Sequence, residues 1–288
     1  MTARKATPIV GVHTSIAGGL SNAVASAVAK GCDAFQIFAR NPRGWLERPL
    51  SPEEIHAFRT ARERAALWPL AIHSVYLINL ASQDPIVQAR SRAAFRQEVE
   101  RGIALGADYL VVHPGNPKTV PAEAGILTAI ESVREATRGL KLNVLTILIE
   151  NTAGQGSSIG CNFEQVADIL AGLDDLPVGV CLDTAHTFAS GYDISTGEGL
   201  KATIRAINRS FGFDKIKLIH SNDSKSPLGS RVDRHQHIGL GHIGAEAFRR
   251  LTANLKFRRV PFILETPVDD ERDDQWNINR LRELSGAC

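Results

Sequence analysis

Charged and titratable residues stand at the ends of apolar runs along this chain, where burial is costly unless a partner meets the group. The plainest case is Thr146-Ile147-Leu148-Ile149-Glu150-Asn151-Thr152-Ala153-Gly154-Gln155-Gly156. It opens as β-branched and aliphatic residues, the composition of a strand buried on both faces, and ends in a carboxylate, an amide and a glycine-rich turn. Similar runs end at His13, His73, His113, Asp183, His220 and Glu265, and one more ends at Ala39 or Arg40. Any one of these histidines reads most simply as a satisfied core or rim residue, and a lone aspartate as a helix cap. As a set they read differently. Carboxylates crowded together without cations raise one another's pKa, and imidazole with carboxylate is the ligand set of zinc and similar divalent ions.

A second set lies in segments that follow such runs. Asp183-Thr184-Ala185-His186 places an imidazole three residues beyond a carboxylate, and Arg231-Val232-Asp233-Arg234-His235-Gln236-His237 holds an Asp-x-His. Positions two apart in an extended segment point the same way, so Asp233 and His235 can grip one ion. With His186 they make three ligands, enough for an open zinc site. His237 and Arg234 read as a solvated rim. Arg40, Arg43, Lys225, Arg231 and Arg234 form a basic rim suited to phosphates. Trp45, Tyr76 and Leu77 could stack on bases or wedge a duplex, and Trp45 reads equally as a loop anchor. Gly154-Gln155-Gly156 lacks the lysine of a phosphate loop and reads as a tight turn.

These groups converge only if the elements bring them together. Strand-like runs are expected at 9–13, 34–39, 69–73, 109–113, 146–150, 178–183, 216–220 and 261–265. Helical patterns fall between them: from Gly18-Gly19 to near Gly31, from Pro52, and over 85–105, 121–137, 163–170, 200–209, 245–255 and 274–284. About eight strand–helix units is the count of a closed parallel barrel, a single α/β domain over 1–288. In that fold every strand C-terminus opens onto one face. An open doubly wound sheet would call for a glycine fingerprint after the first strand, and Gly11, Gly18 and Gly19 do not have its spacing. Hydrophobic residues at 43% support a sizeable core, and a net charge of +2 does not by itself announce a nucleic-acid binder. Cys32, Cys161, Cys181 and Cys288 form no C-x-x-C pair and read as reduced thiols of a cytoplasmic protein. The first residues carry no apolar signal core, and no run approaches membrane-spanning length.

His73-Ser74-Val75-Tyr76-Leu77-Ile78-Asn79-Leu80, His113-Pro114-Gly115, Ile149 to Gly156, Cys181 to His186, His220 to Lys225, Gly229 to His235 and Leu264-Glu265-Thr266 occur in that order over nearly the whole chain. Taken together, this set resembles the motifs of the endonuclease IV family, the zinc-dependent apurinic/apyrimidinic endonucleases. The resemblance implies a (β/α)8 TIM barrel holding three zinc ions, with manganese an option at one site. One ion would take His73, His113 and Glu150. A second would take Glu150, Asp183, His220 and Glu265, and the third His186, Asp233 and His235. Arg43, Tyr76 and Leu77 match the positions by which the family enters bent duplex DNA; from the basic rim, Lys225 and Arg231 are expected as further DNA contacts. Pro42 and Gly44 beside Arg43, and Ser74-Val75 before Tyr76, depart slightly from the pattern and bear on loop stiffness.

The implied activity is metal-assisted hydrolysis of the phosphodiester 5′ to an abasic site, leaving a 3′-hydroxyl, with Glu150 orienting the attacking hydroxide. Cleaning of blocked 3′ ends is expected as well. The partner is double-stranded DNA with abasic sites, where a missing base makes flipping cheap. A monomer is expected, with no protein partner and no membrane, associated with the nucleoid when on DNA. Two rivals remain: a metal-dependent sugar isomerase or epimerase on a related barrel, and a damage-binding barrel with structural zinc.

Overall fold

The computed structural model describes residues 7–45 and 48–286; residues 1–6, 46–47 and 287–288, Cys288 among them, lie outside it. In chain order the elements are β1 Val10–His13, α1 Leu20–Ala29, β2 Ala34–Phe38, α2 Pro52–Ala65, β3 Leu70–His73, α3 Pro85–Leu105, β4 Tyr109–Val112, α4 Ala122–Thr137, β5 Thr146–Glu150, α5 Phe163–Ala171, β6 Val178–Asp183, α6 Thr184–Ala189, α7 Gly197–Ser210, β7 Ile216–His220, β8 Asp223–Ser224, β9 His235–Gln236, α8 Ala245–Ala253, β10 Phe262–Leu264 and α9 Asp274–Ser285. Eight strands close in the order β1-β10-β7-β6-β5-β4-β3-β2, and every neighbouring pair is parallel. This is a (β/α)8 TIM barrel.

Local chemistry fixes where helices begin. Ser51 and Glu54 close a reciprocal capping box at α2, and Asp84 accepts from the Ile86 and Val87 N–H groups at α3, with Pro85 in the first turn. Asn162, Thr196 and Asp273 cap α5, α7 and α9 in the same way.

The apolar residues divide into two clusters. The larger lies between the sheet and the helices. The smaller is Ala34, Ala71, Val111, Leu148, Cys181, Leu218 and Ile263, one from each of seven barrel strands, and fills the barrel interior. Gly11 takes the corresponding place on β1, where an added Cβ would meet the Ala34 carbonyl oxygen at 1.9 Å. Side chains two residues apart on a strand face the same way, so each interior residue is followed by another inward one nearer the C-terminal mouth. Those followers are His13, Gln36, His73, His113, Glu150, Asp183, His220 and Glu265.

Two elements differ from the sequence expectation. The helix α6 starts directly after Asp183, and its six residues are all buried, so no amphipathic period announces it. The segment 221–244 contains a short antiparallel pair, Asp223 opposite Gln236 and Ser224 opposite His235. Buried Asp223 holds this segment by accepting from the backbone N–H groups of Ser224, Gly241, Ile243 and Gly244.

Candidate metal centre

Glu150, the last residue of β5, is fully buried. Its Oε2 lies 3.1 Å from His73 Nε2 and 3.5 Å from His113 Nε2, while Oε1 lies 2.9 Å from His220 Nδ1 and 3.4 Å from His186 Nδ1. Two donor groups therefore share it. His73, His113 and Glu150 form one; Glu150, Asp183, His220 and Glu265 form the other, all ligand atoms of each within 4.8 Å of one another. A third group gathers Asp183, His186 and His235. Asp233 joins it, with Oδ2 at 3.2 Å from His186 Nε2 and Oδ1 at 3.4 Å from His235 Nε2. All nine residues singled out as ligands meet at the mouth, and Asp183 Oδ2 also stands 3.6 Å from His235 Nε2 of the third group.

The orientation of the imidazoles suits cations. His73 Nδ1 donates to the Ser74 carbonyl at 2.7 Å, His186 Nδ1 to that of Asn151 at 2.9 Å, and His235 Nδ1 to that of Glu265 at 3.1 Å. His220 Nε2 donates to the Gln36 side-chain oxygen at 2.9 Å. Each ring thus spends one nitrogen on a carbonyl and turns the other toward carboxylates, the arrangement by which metal-ligating histidines are held. His235 Nε2 is buried with no hydrogen-bond partner. Burial raises the carboxyl of Glu150, but the imidazoles of His113 and His220 outweigh it and hold Glu150 well below its ordinary range. Burial lowers His186 and His220; Asp183, Asp233 and Glu150 outweigh it at His186, and Cys181 with Glu150 and Glu265 outweighs it at His220, leaving both well above their ordinary range. The donor set fits divalent cations.

Residues without charge hold this arrangement. Asn151 Oδ1 accepts from the Asp183 N–H at 2.8 Å, and Asn222 Nδ2 donates to Asp183 Oδ2 at 2.7 Å. The remaining oxygen of Asp183 caps α6 by accepting from the His186 N–H at 2.7 Å, so ligand and helix cap coincide. Gly154 and Gly156 take positive φ in the tight turn expected there. Gln155 Oε1, between them, accepts from the Asp233 N–H at 3.1 Å. Asn151, Gln155 and Asn222 were missed as separate functional residues, and only their place inside the motif tracts pointed to them.

The proposed DNA-contacting residues scatter more. Tyr76 is 74% exposed, its ring steadied edge-on by Phe38 at 5.4 Å. Leu77 is half-buried against the core. Arg43 is exposed in the turn after Asn41, and Arg231 is exposed with a left-handed backbone at φ 56. Lys225 is exposed but lines a separate recess with Gln236 and His242. Two expectations are corrected, for Arg40 and His237, and of the two readings of Trp45 the packing favours the loop anchor. Arg40 is not on the rim: it is 1% exposed and pairs with buried Glu98 at 3.3 Å. Trp45 packs against the core, and its carbonyl and that of Gly44 accept from Arg40, so it anchors its loop. His237 is buried, bonded to Asp269 at 2.8 Å and Asn277 at 3.0 Å rather than solvated. A cavity of about 500 Å³ opens beside the donor groups, lined by Tyr76, Asn79, His113, Gln155, His186 and Asp233.

Residues 24–284 match the family model described as xylose isomerase-like TIM barrel. A probable endonuclease 4 from Solibacter usitatus is 48% identical over 281 residues, covering 96% of this chain and 97% of that protein. One from Methanoculleus marisnigri is 42% identical, covering 97% and 99%. The chain belongs to the endonuclease IV family. The crystal structure of endonuclease IV from Thermus thermophilus superposes with a TM-score of 0.86 at 38% identity, covering 98% of this chain and all of that one, 100%. A D-tagatose 3-epimerase-like protein, 18% identical with a TM-score of 0.65 over 96% of this chain and 95% of that one, shares the fold. The enzyme thus carries, on a barrel shared with sugar epimerases, the donor groups described above. No helix among the described residues is long and apolar enough to cross a membrane.

Proposed function

We propose that this endonuclease IV family enzyme hydrolyses the phosphodiester 5′ to abasic sites in double-stranded DNA, leaving a 3′-hydroxyl, and that it also clears blocked 3′ ends. The observation that carries the reading is the sharing of buried Glu150 between two donor groups beside an open cavity. The names of the similar endonucleases support it. His73, His113 and Glu150 would hold one cation, Glu150, Asp183, His220 and Glu265 a second, and His186, Asp233 and His235 a third; we propose zinc, with manganese an option at one site. When bound, such cations lower the pKa of the attacking water and neutralise charge on the phosphate. Glu150, its two oxygens turned to different imidazoles, orients that water. Gln155 keeps Asp233 facing His186. Arg43, Tyr76, Leu77, Lys225 and Arg231 contact the duplex, with Tyr76 entering where the base is missing and unstacking costs least. The enzyme works as a single barrel domain and a monomer needing no protein partner, in the cytoplasm and on the nucleoid when bound to DNA.

The test is incubation with a duplex carrying one tetrahydrofuran abasic analogue, with and without a strong chelator. The expected result is a single cut 5′ to the analogue, an end that a polymerase extends, and loss of cutting once the chelator has stripped the protein. A strand left intact under all metal conditions overturns the proposal, and ketose–aldose conversion by the same protein would favour a sugar isomerase.

A further inference from the structure

Three of the four imidazoles whose spare nitrogen reaches a carbonyl are oriented by the main chain, which no side-chain substitution removes. His220 is the exception, because its partner is the side chain of Gln36, a fully buried residue in the middle of β2. Gln36 uses its whole amide. Its Nε2 donates to Glu265 Oε1 at 2.6 Å and to His13 Nδ1 at 3.0 Å, and its Oε1 accepts from His220 Nε2. The amide cannot be reversed at this position. A carbonyl oxygen set 2.6 Å from a ligating carboxylate oxygen would be repelled. With the amide fixed, His220 must carry its proton on Nε2. Nδ1 is then the nitrogen left to face the donor group, 2.9 Å from Glu150 Oε1 and 3.3 Å from Glu265 Oε2, and the one a cation would take. The same amide ties down Glu265 Oε1 and leaves Oε2 on the side of the donor group.

We propose that Gln36 is a positioning residue for the second cation: it sets the tautomer of His220 and the rotation of Glu265, and so aims two of the four donors from one amide. The inference rests on the proposed cation-binding role of those donors. Gln36 itself touches neither substrate nor cation.

The experiment compares the wild type with Gln36→Met, which keeps the length and loses both hydrogen-bonding functions, and with Gln36→Glu, which keeps an acceptor opposite His220 Nε2 but sets an oxygen against Glu265 Oε1 and so tests the His220 half alone. Zinc retention is measured by dialysis against a series of competing chelators. In parallel, the Nε2 proton of His220 is followed by NMR in zinc-loaded protein labelled with 15N-histidine. Gln36→Met should bind its most weakly held zinc about 10–100-fold less tightly, the usual loss when an outer partner of a ligand goes, and its Nε2 proton should exchange too fast to observe. Gln36→Glu should keep the protected proton. If Gln36→Met does not fold, absence of that proton in Gln36→Glu overturns the proposal by itself. Unchanged zinc retention and a protected proton in Gln36→Met would also overturn it, with the cation reading left standing. Failure of the wild type to retain zinc would instead strike at that reading.

Discussion

At the scale of single residues, Glu150 is the group whose loss should separate chemistry from folding. Glu150→Gln keeps the volume and one acceptor but removes the charge that two donor groups share. It should lower kcat by roughly 10²–10³-fold or more, with a folded circular dichroism spectrum and much of the affinity for abasic duplex retained. Near-normal turnover in single-turnover assays would mean that another group is the hub. Glu150 was legible because a charge at the end of a run of apolar residues demands an explanation. Gln36 was not. It sits inside Ala34–Phe38 among residues buried on both faces of the strand, so the two-residue alternation that sends it inward leaves no mark in the hydropathy. The strand therefore read as ending at Ala39 or Arg40, and Arg40 turned out to be a core residue. Asn151 and Asn222 carry no charge to flag them. His237 looked solvated because its neighbours in sequence are polar, whereas its partners Asp269 and Asn277 come from distant parts of the chain.

Elements decide whether the loops around the mouth keep their shape, and α3 does so for the segment bearing Arg43. Its Gln97 and Glu98 grip Arg40, and its Arg101 donates to the Ala39 and Arg48 carbonyls, so the segment bearing Arg43 is tied to the helix beneath. Burial pushes the carboxyl of Glu98 up to about 7 against the pull of Arg40. Arg40→Ala would remove the stronger of the two cations that pull on that carboxyl, leaving only Arg101, and should destabilise the fold by roughly 3–5 kcal/mol at pH 8. The sign with pH follows from the raised value. Below the ordinary 4.5 the carboxyl is protonated whether folded or not, so the charge part of the cost is absent there and grows as pH rises through the folded value, on top of the lost hydrogen bonds of Arg40, which do not depend on pH. Urea unfolding of metal-free protein at pH 5 and pH 8 should show the larger loss at pH 8; an equal loss at both would contradict this account. Tyr76, 74% exposed on the neighbouring loop, belongs to the same scale. Tyr76→Ala should weaken binding to abasic duplex more than to undamaged duplex, measured by fluorescence anisotropy, and equal losses would remove its wedge role. The strands were legible nearly to the residue. The helix α6 and the pair β8–β9 were not, since six buried residues and two two-residue strands show no period, and they are what carry His186 and His235 to the mouth.

For the whole molecule, the closed barrel followed from counting strand–helix units, because each unit must bury its apolar face against the next and eight of them close. That the donors meet follows from parallel strands opening on one face, which a sequence conveys only once the fold is assumed. Stripping the cations should cost stability throughout, since ligands that bind only the folded state stabilise it by about 2.7 kcal/mol at a hundredfold excess over Kd. Chelated protein should melt several degrees lower in calorimetry and recover with added zinc; an unchanged melt would count against structural coupling of the site. The same donors have a consequence in solution. His186 and His220 hold protons well above the ordinary imidazole range beside the carboxylates that face them, and a divalent ion displaces what they hold. Titrating zinc into unbuffered, metal-free protein at neutral pH should therefore acidify it, making a pH electrode a direct counter of how far the barrel mouth has filled.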